Sequence, residues 1–268
     1  MKRIIVIIAA LALCLQGLCQ PRLVAHRGGR YEADENTLPA FSSALKAGIT
    51  GYELDVHRTA DGHYVIMHDE DISRTVNAAG IIEKMKFKDL RALRTKKGNK
   101  IPTLDEVLKL FGKYEGLYVE FEMKTSREDL YTPEILEIYA RDVYKAITEA
   151  CPKGSLYLFS SFDTRVLKLL HGSHPDATLM LITGKGMSEE LRAIAAEVGT
   201  KRVACHRTRT TLEEMNKAHK EGFIVNLWPN GTVEDVVLSN ALGADFICTD
   251  TPREISRLIE EGRFNIKK

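Results

Sequence analysis

Four short stretches of the chain concentrate acids, bases and cations at spacings that suit chemistry on an anionic ester. The first, Val24-Ala25-His26-Arg27-Gly28-Gly29, ends an apolar run with an imidazole, a guanidinium and two glycines that let a ligand approach the backbone. In the second, Glu53-Leu54-Asp55, strand alternation turns both carboxylates to one face and Leu54 to the other, and His57 continues the acidic face. The third is His68-Asp69, which brings a second imidazole. Two imidazoles, one accepting and one donating a proton, suit phosphoester cleavage near neutral pH. The fourth, Tyr118-Val119-Glu120-Phe121-Glu122-Met123-Lys124, places Glu120, Glu122 and Lys124 on one strand face.

Paired carboxylates inside a fold repel each other and are costly to desolvate, so a divalent cation is the economical explanation of Glu53 and Asp55. All-oxygen ligation favours Mg²⁺ or Ca²⁺ over zinc. Glu122, nearer the strand's C-terminal end than Glu120, is the preferred third ligand, and Lys124 is a point-charge contact for phosphate. Each stretch alone has a plainer reading: a structural histidine at a strand end, an edge strand with solvated acids, or an amphipathic surface strand. Their meaning depends on whether the fold brings them together.

The elements that must do so are legible as alternation. Short apolar runs begin at Leu23, Gly51, Leu117, Leu156, Thr178, Arg202, Phe223 and Asp245, separated by amphipathic stretches with capping starts such as Thr37, Thr132, Asp163 and Thr211. Eight such units close a (β/α)8 TIM barrel, in which active sites form at the C-terminal strand ends. An open doubly wound sheet would show the same alternation. The apolar run Tyr64–Met67 follows an Asp61-Gly62 reversal and is therefore expected to be antiparallel, outside the barrel. From Asp69 to about Pro102 the chain is lysine-rich and weakly periodic, a small excursion on the catalytic side. No linker or repeat divides the remainder, so residues 20–268 are expected to form one domain.

Residues 1–19 read as a signal peptide: Lys2 and Arg3, an apolar run from Ile4 to Leu15, and small residues at Gly17 and Cys19. Leucines before Cys14 and Cys19 argue against lipidation. The expected mature protein is exported, periplasmic or secreted, without a transmembrane segment. Of its cysteines, Cys151, Cys205 and Cys248 are an odd set in or beside apolar runs, which fits buried thiols rather than a disulfide scaffold. A formal net charge of +1 with interspersed signs argues against a nucleic-acid-binding surface.

The ordered series His26-Arg27-Gly28, Glu35-Asn36-Thr37, Ala40-Phe41, Glu53-Leu54-Asp55, Thr59, Asp61-Gly62, Val65 and His68-Asp69 resembles the N-terminal signature of glycerophosphodiester phosphodiesterases. Looser agreement at Glu122-Met123-Lys124, Ser161-Phe162, Asn226-Leu227-Trp228 and Thr249-Asp250-Thr251-Pro252 extends the resemblance over nearly the whole chain after the leader. It implies a divalent cation held by Glu53, Asp55 and Glu122, acid and base work by His26 and His68, and substrate contacts from Arg27, Lys124 and Trp228. The implied reaction is attack of the glycerol 2-hydroxyl on phosphorus, loss of the alcohol, and opening of the cyclic phosphate to glycerol 3-phosphate, with His68 as acid by analogy. Two departures stand out: a proline in Trp228-Pro229-Asn230, and Glu120 where a neutral residue is expected. Glu120 is then either an extra metal contact or solvent-facing. The alternatives are a lyase of the sphingomyelinase D or phosphoinositide phospholipase type, stopping at the cyclic phosphate, and a non-catalytic barrel that binds headgroups.

Overall fold

The computed structural model describes residues 20–268; the expected signal peptide lies outside the described residues. Eight parallel strands form the barrel: β1 (Arg22–His26), β2 (Gly51–Arg58), β4 (Tyr118–Met123), β5 (Leu156–Ser161), β6 (Leu179–Ile182), β7 (Arg202–His206), β8 (Ile224–Asn230) and β9 (Phe246–Thr249). Closure comes from β1, which pairs with β9 on one side and β2 on the other. This is the (β/α)8 TIM barrel, not an open sheet. Every stave begins within a residue of its expected start.

The short β3 (Tyr64–Ile66) pairs antiparallel with the outer end of β2, as the Asp-Gly reversal requires. Beyond it, the excursion carries α2 (Phe87–Ala92), two 3-10 turns and a small core of its own, in which Val65, Met67, Ile72, Val76, Ile82 and Leu90 pack together. Weak periodicity follows from that construction, because each short element contributes only one or two apolar side chains.

The covering helices are α1 (Leu38–Lys46), α3 (Leu104–Phe111), α4 (Pro133–Ala150), α5 (Thr164–Ser173), α6 (Glu189–Glu197), α7 (Leu212–Lys220), α8 (Val233–Ala241) and α9 (Pro252–Glu260). Thr37, Thr132, Asp163 and Thr211 each cap the expected helix, accepting a hydrogen bond from a first-turn N–H. Outward strand residues such as Leu54 and Phe121 bury against these helices. Inward residues Val24, Tyr118, Leu158, Met180 and Phe246 plug the barrel's lower half, with the Tyr118 and Phe246 rings stacked at 4.2 Å. With that end filled by apolar side chains, the polar inward residues are left at the C-terminal mouth. No helix of the described residues is long and apolar enough to cross a membrane. Cys205 and Cys248 are buried and Cys151 is partly buried, all as free thiols.

Candidate active site

Strand register builds the acidic cluster. On β2 and β4, Glu53 stands beside Glu120 and Asp55 beside Glu122, so alternation points four carboxylates inward in two layers. Glu53, Asp55 and Glu122 each offer an oxygen within 4.8 Å of the others. All three are buried, and Glu53 Oε1 and Asp55 Oδ1 lack a hydrogen-bond partner. Such orphaned, convergent oxygens are the donor set a hard divalent cation takes. Burial pushes Glu53 well above the ordinary carboxylate range, reinforced by Asp55 and Glu122. Asp55 moves the other way: although burial opposes ionisation, Lys124, His68 and Arg27 surround it with positive charge.

Lys124, just past β4, sits with Nζ 2.6 Å from Glu122 and 3.4 Å from Asp55. Arg27 has Nε 3.6 Å from Asp55 and donates to Glu35 at 3.0 Å. Both cations expected to touch phosphate therefore already border the carboxylates. Arg27 adopts φ 52°, in the left-handed region, and Asn36 adopts φ 56°. Hydrogen bonds over-determine this turn: Arg27 N–H donates to the Glu53 carboxylate at 3.1 Å, and Asn36 N–H donates to the Arg27 carbonyl at 2.9 Å. A side chain on Gly28 would collide with Ala40 at 2.9 Å, which explains the glycine that follows.

Both candidate catalytic histidines are steadied by a carboxylate on Nδ1. His26 contacts Asp250 at 2.5 Å, and His68 contacts Asp69 at 2.6 Å. A carboxylate there accepts from Nδ1–H and leaves Nε2 as the working nitrogen. For His26 that nitrogen lies 3.8 Å from Glu53. Burial lowers the affinity of both rings for a proton, and Arg27 adds to the effect in each. His57 is held differently, between Glu83 of the excursion at 2.5 Å and the His68 carbonyl at 3.2 Å, so it supports the chain carrying His68.

His26, Arg27, Glu53, His68 and Glu122 line one cavity of about 240 Å³, together with Trp228. The Trp228 ring meets Phe162 and His206 edge-on at 5.9 and 5.7 Å. The Pro229 departure lies within β8, where the Trp228–Pro229 peptide is cis and the pairing with β9 is irregular. Asn230 pins that irregularity, donating to the carbonyls of Leu227 and Cys248. Glu120 meets neither expectation. It lies outside the three-carboxylate group and is buried, accepting from the Tyr118 hydroxyl and the Asn226 amide at 2.7 Å each. Burial pushes it up to about 7.

Sequence reasoning passed over several residues. Asp250 carries no role in the sequence series that contains it, yet it faces His26, while Thr251 occupies the N-cap of α9. Asn36, which donates to Asp55 at 2.8 Å, and Glu35, which binds Arg27 and Arg74, were quoted without a role. Arg30 appeared in no motif, yet its Nε lies 2.9 Å from Asp250. The signal available was position within the ordered signature; the partners are set by three-dimensional closure.

A parallel barrel with convergent carboxylates, two cations and carboxylate-steadied imidazoles at its mouth has the architecture of an enzyme whose site lies at the C-terminal strand ends. The family model for the glycerophosphoryl diester phosphodiesterase family matches residues 26–254. A glycerophosphodiester phosphodiesterase of Caldanaerobacter subterraneus is 30% identical over 247 residues, covering 90% of this chain and 98% of the relative. A glycerophosphodiester phosphodiesterase structure from Parabacteroides distasonis aligns with TM-score 0.76 at 25% identity, covering 92% of this chain and 99% of that one. An Oleispira antarctica phosphodiesterase, solved with its product sn-glycerol 3-phosphate, shares the fold at TM-score 0.81 and 23% identity over 90% of this chain and 97% of that one. The chain belongs to the glycerophosphoryl diester phosphodiesterase family, and it is an enzyme of that family.

Proposed function

We propose that the protein hydrolyses glycerophosphodiesters to glycerol 3-phosphate and an alcohol by metal-assisted attack of the substrate's own 2-hydroxyl. The observation that carries this reading is convergence: Glu53, Asp55 and Glu122 meet within 4.8 Å in a cavity that His26 and His68 also line. Glu53, Asp55 and Glu122 would hold Mg²⁺ or Ca²⁺, which when bound supplies Lewis-acid stabilisation of charge on the phosphoryl oxygens. Arg27 and Lys124 border the same carboxylates and are placed to contact a phosphate there. His26, its Nε2 freed by Asp250, takes the proton of the glycerol 2-hydroxyl as oxygen attacks phosphorus. His68, backed by Asp69, gives a proton to the departing alcohol. In the second half the roles reverse, water opening the cyclic phosphate. His26 ends the stave β1 while His68 follows the antiparallel β3, so the two rings reach the same cavity from different elements, as separate acid and base roles require.

The chain after residue 19 is proposed to act as a single domain outside the cytoplasm, following removal of the leader read in the sequence. The test is to incubate purified protein with glycerophosphocholine, glycerophosphoethanolamine and glycerophosphoinositol, with and without chelator, and to identify products. Release of glycerol 3-phosphate that stops in chelator supports the reading. Accumulation of cyclic phosphate alone would make it a lyase, and unimpaired turnover in chelator would remove the cation.

A further inference from the structure

Below the carboxylates, the cavity continues to a floor with an unusual polarity. Glu120 lies two residues before Glu122 on β4, hence roughly 6–7 Å deeper along the strand. Both of its hydrogen bonds, from Tyr118 and Asn226, end on Oε1. Asn226 is 2% exposed, and because its amide nitrogen is committed to Glu120, its Oδ1 is left buried without a partner. Both residues line the cavity: Asn226 Oδ1 is buried without a partner, and Glu120 Oε2 receives no hydrogen bond from the protein, so two acceptors face the floor. The surrounding walls, Ile182, Ala204 and Cys248, are apolar. Trp228 Nε1, also buried and unpartnered, offers the one donor of this group.

Leaving the buried Asn226 acceptor unmatched is costly and the adjacent Glu120 oxygen is free to accept, so the floor calls for a small ligand that brings hydroxyl donors on a short carbon chain. We infer that Glu120 and Asn226 are specificity-determining residues that receive the free primary hydroxyl of the substrate's glycerol moiety. A three-carbon polyol hung from phosphorus over Glu53, Asp55 and Glu122 spans roughly the drop to Glu120, and its carbons meet the apolar walls. With the primary hydroxyl anchored, the neighbouring 2-hydroxyl is held beside phosphorus, where attack requires it. The inference rests on the glycerophosphodiester reading and adds which end of the substrate goes inward and what reads it.

The test compares sn-glycerol 3-phosphate with propane-1,2-diol 1-phosphate, its counterpart lacking the primary hydroxyl, by calorimetric binding to the metal-supplemented protein. The same comparison is then made in turnover, with glycerophosphocholine and its 1-deoxy analogue. The wild-type protein is expected to favour the hydroxyl-bearing compound roughly ten- to a hundred-fold in each comparison. Glu120→Gln keeps the acceptor for Tyr118 and Asn226 but turns the free oxygen into an N–H donor; it should reduce the preference to within about threefold. Should that variant fail to fold, Asn226→Leu serves in its place, and the wild-type comparison stands without either.

Equal binding of the two phosphates by the wild type overturns the inference, as does a Glu120→Gln protein that keeps the full preference. So does a Glu120→Gln effect that falls on ethanolamine against choline headgroups and not on the glycerol hydroxyl, because the acceptors would then read the leaving alcohol. A protein that selects glycerol 3-phosphate yet cleaves no glycerophosphodiester refutes the hydrolase reading while leaving the floor assignment in place.

Discussion

Replacing Asp250 with asparagine tests whether the carboxylate behind His26 serves catalysis. The side chain is 1% exposed and contacts His26 Nδ1 at 2.5 Å, with Arg30 Nε at 2.9 Å on the same oxygen. In Asp250→Asn the amide oxygen can keep the bond from His26 Nδ1–H, but the negative charge that steadies an imidazolium and pairs with Arg30 is gone. A hydrogen bond to a charged group contributes about 1.5–3 kcal/mol, and each 1.36 kcal/mol is tenfold in rate, so kcat/KM should fall about 10- to 150-fold. If the amide instead turns its nitrogen to the ring, His26 switches tautomer and the loss approaches the ~10⁴-fold seen when a triad carboxylate is so replaced. The assay is steady-state release of glycerol 3-phosphate from glycerophosphocholine, with thermal melting and metal titration of the same sample. A variant that melts normally, binds metal normally and turns over within threefold of wild type would refute the assignment of His26 as a proton acceptor oriented by Asp250.

His68→Ala should abolish turnover while leaving thermal stability and metal affinity near wild type, since the ring is neither a proposed ligand nor a core residue; normal turnover would remove the acid assignment. Glu53→Gln should weaken metal binding, measured by calorimetry, because it withdraws one of three convergent oxygens. Gly51→Ala should destabilise the barrel by about 1–3 kcal/mol in denaturant melts, because a Cβ there would stand 2.2 Å from the Leu23 carbonyl oxygen at the β1–β2 seam; an unchanged midpoint would show that the seam gives way freely. Burial raises the Cys205 thiol from 9.0 to about 11, so the folded chain holds that proton longer than the unfolded one. This contribution is complete below pH 9 and is lost as pH climbs towards 11, up to about 2–3 kcal/mol. Stability of wild type relative to Cys205→Ala should fall across that window; a constant difference would contradict it.

The barrel was legible because its staves are apolar, β-branched runs of similar length punctuated by helix caps, and nothing else in the chain competes with that rhythm. The three convergent carboxylates were legible because a period of two on β2 and β4 fixes their face without reference to the rest of the fold. Asp250 and Asn36 were not, since their roles depend on closure between β1 and β9 and on a left-handed turn at Arg27, neither of which alternation encodes. Glu120 was misjudged for a related reason. Its face was correctly inward, but its depth relative to Tyr118 and Asn226 is a property of the assembled staves.

One consequence concerns β2. Its lower residues Tyr52 and Glu53 pair with β1, and where β1 turns away at Arg27, β3 takes over the vacated edge opposite Val56, His57 and Arg58 while β4 holds the other side. The acidic strand is thus flanked on both sides as far as Val56 and by β3 alone at its tip, and its amides up to Val56 should be among the slowest in the molecule to exchange with deuterium. A graft or deletion in the excursion that uncovers β3 would loosen that tip and displace Asp55 before any covering helix is disturbed.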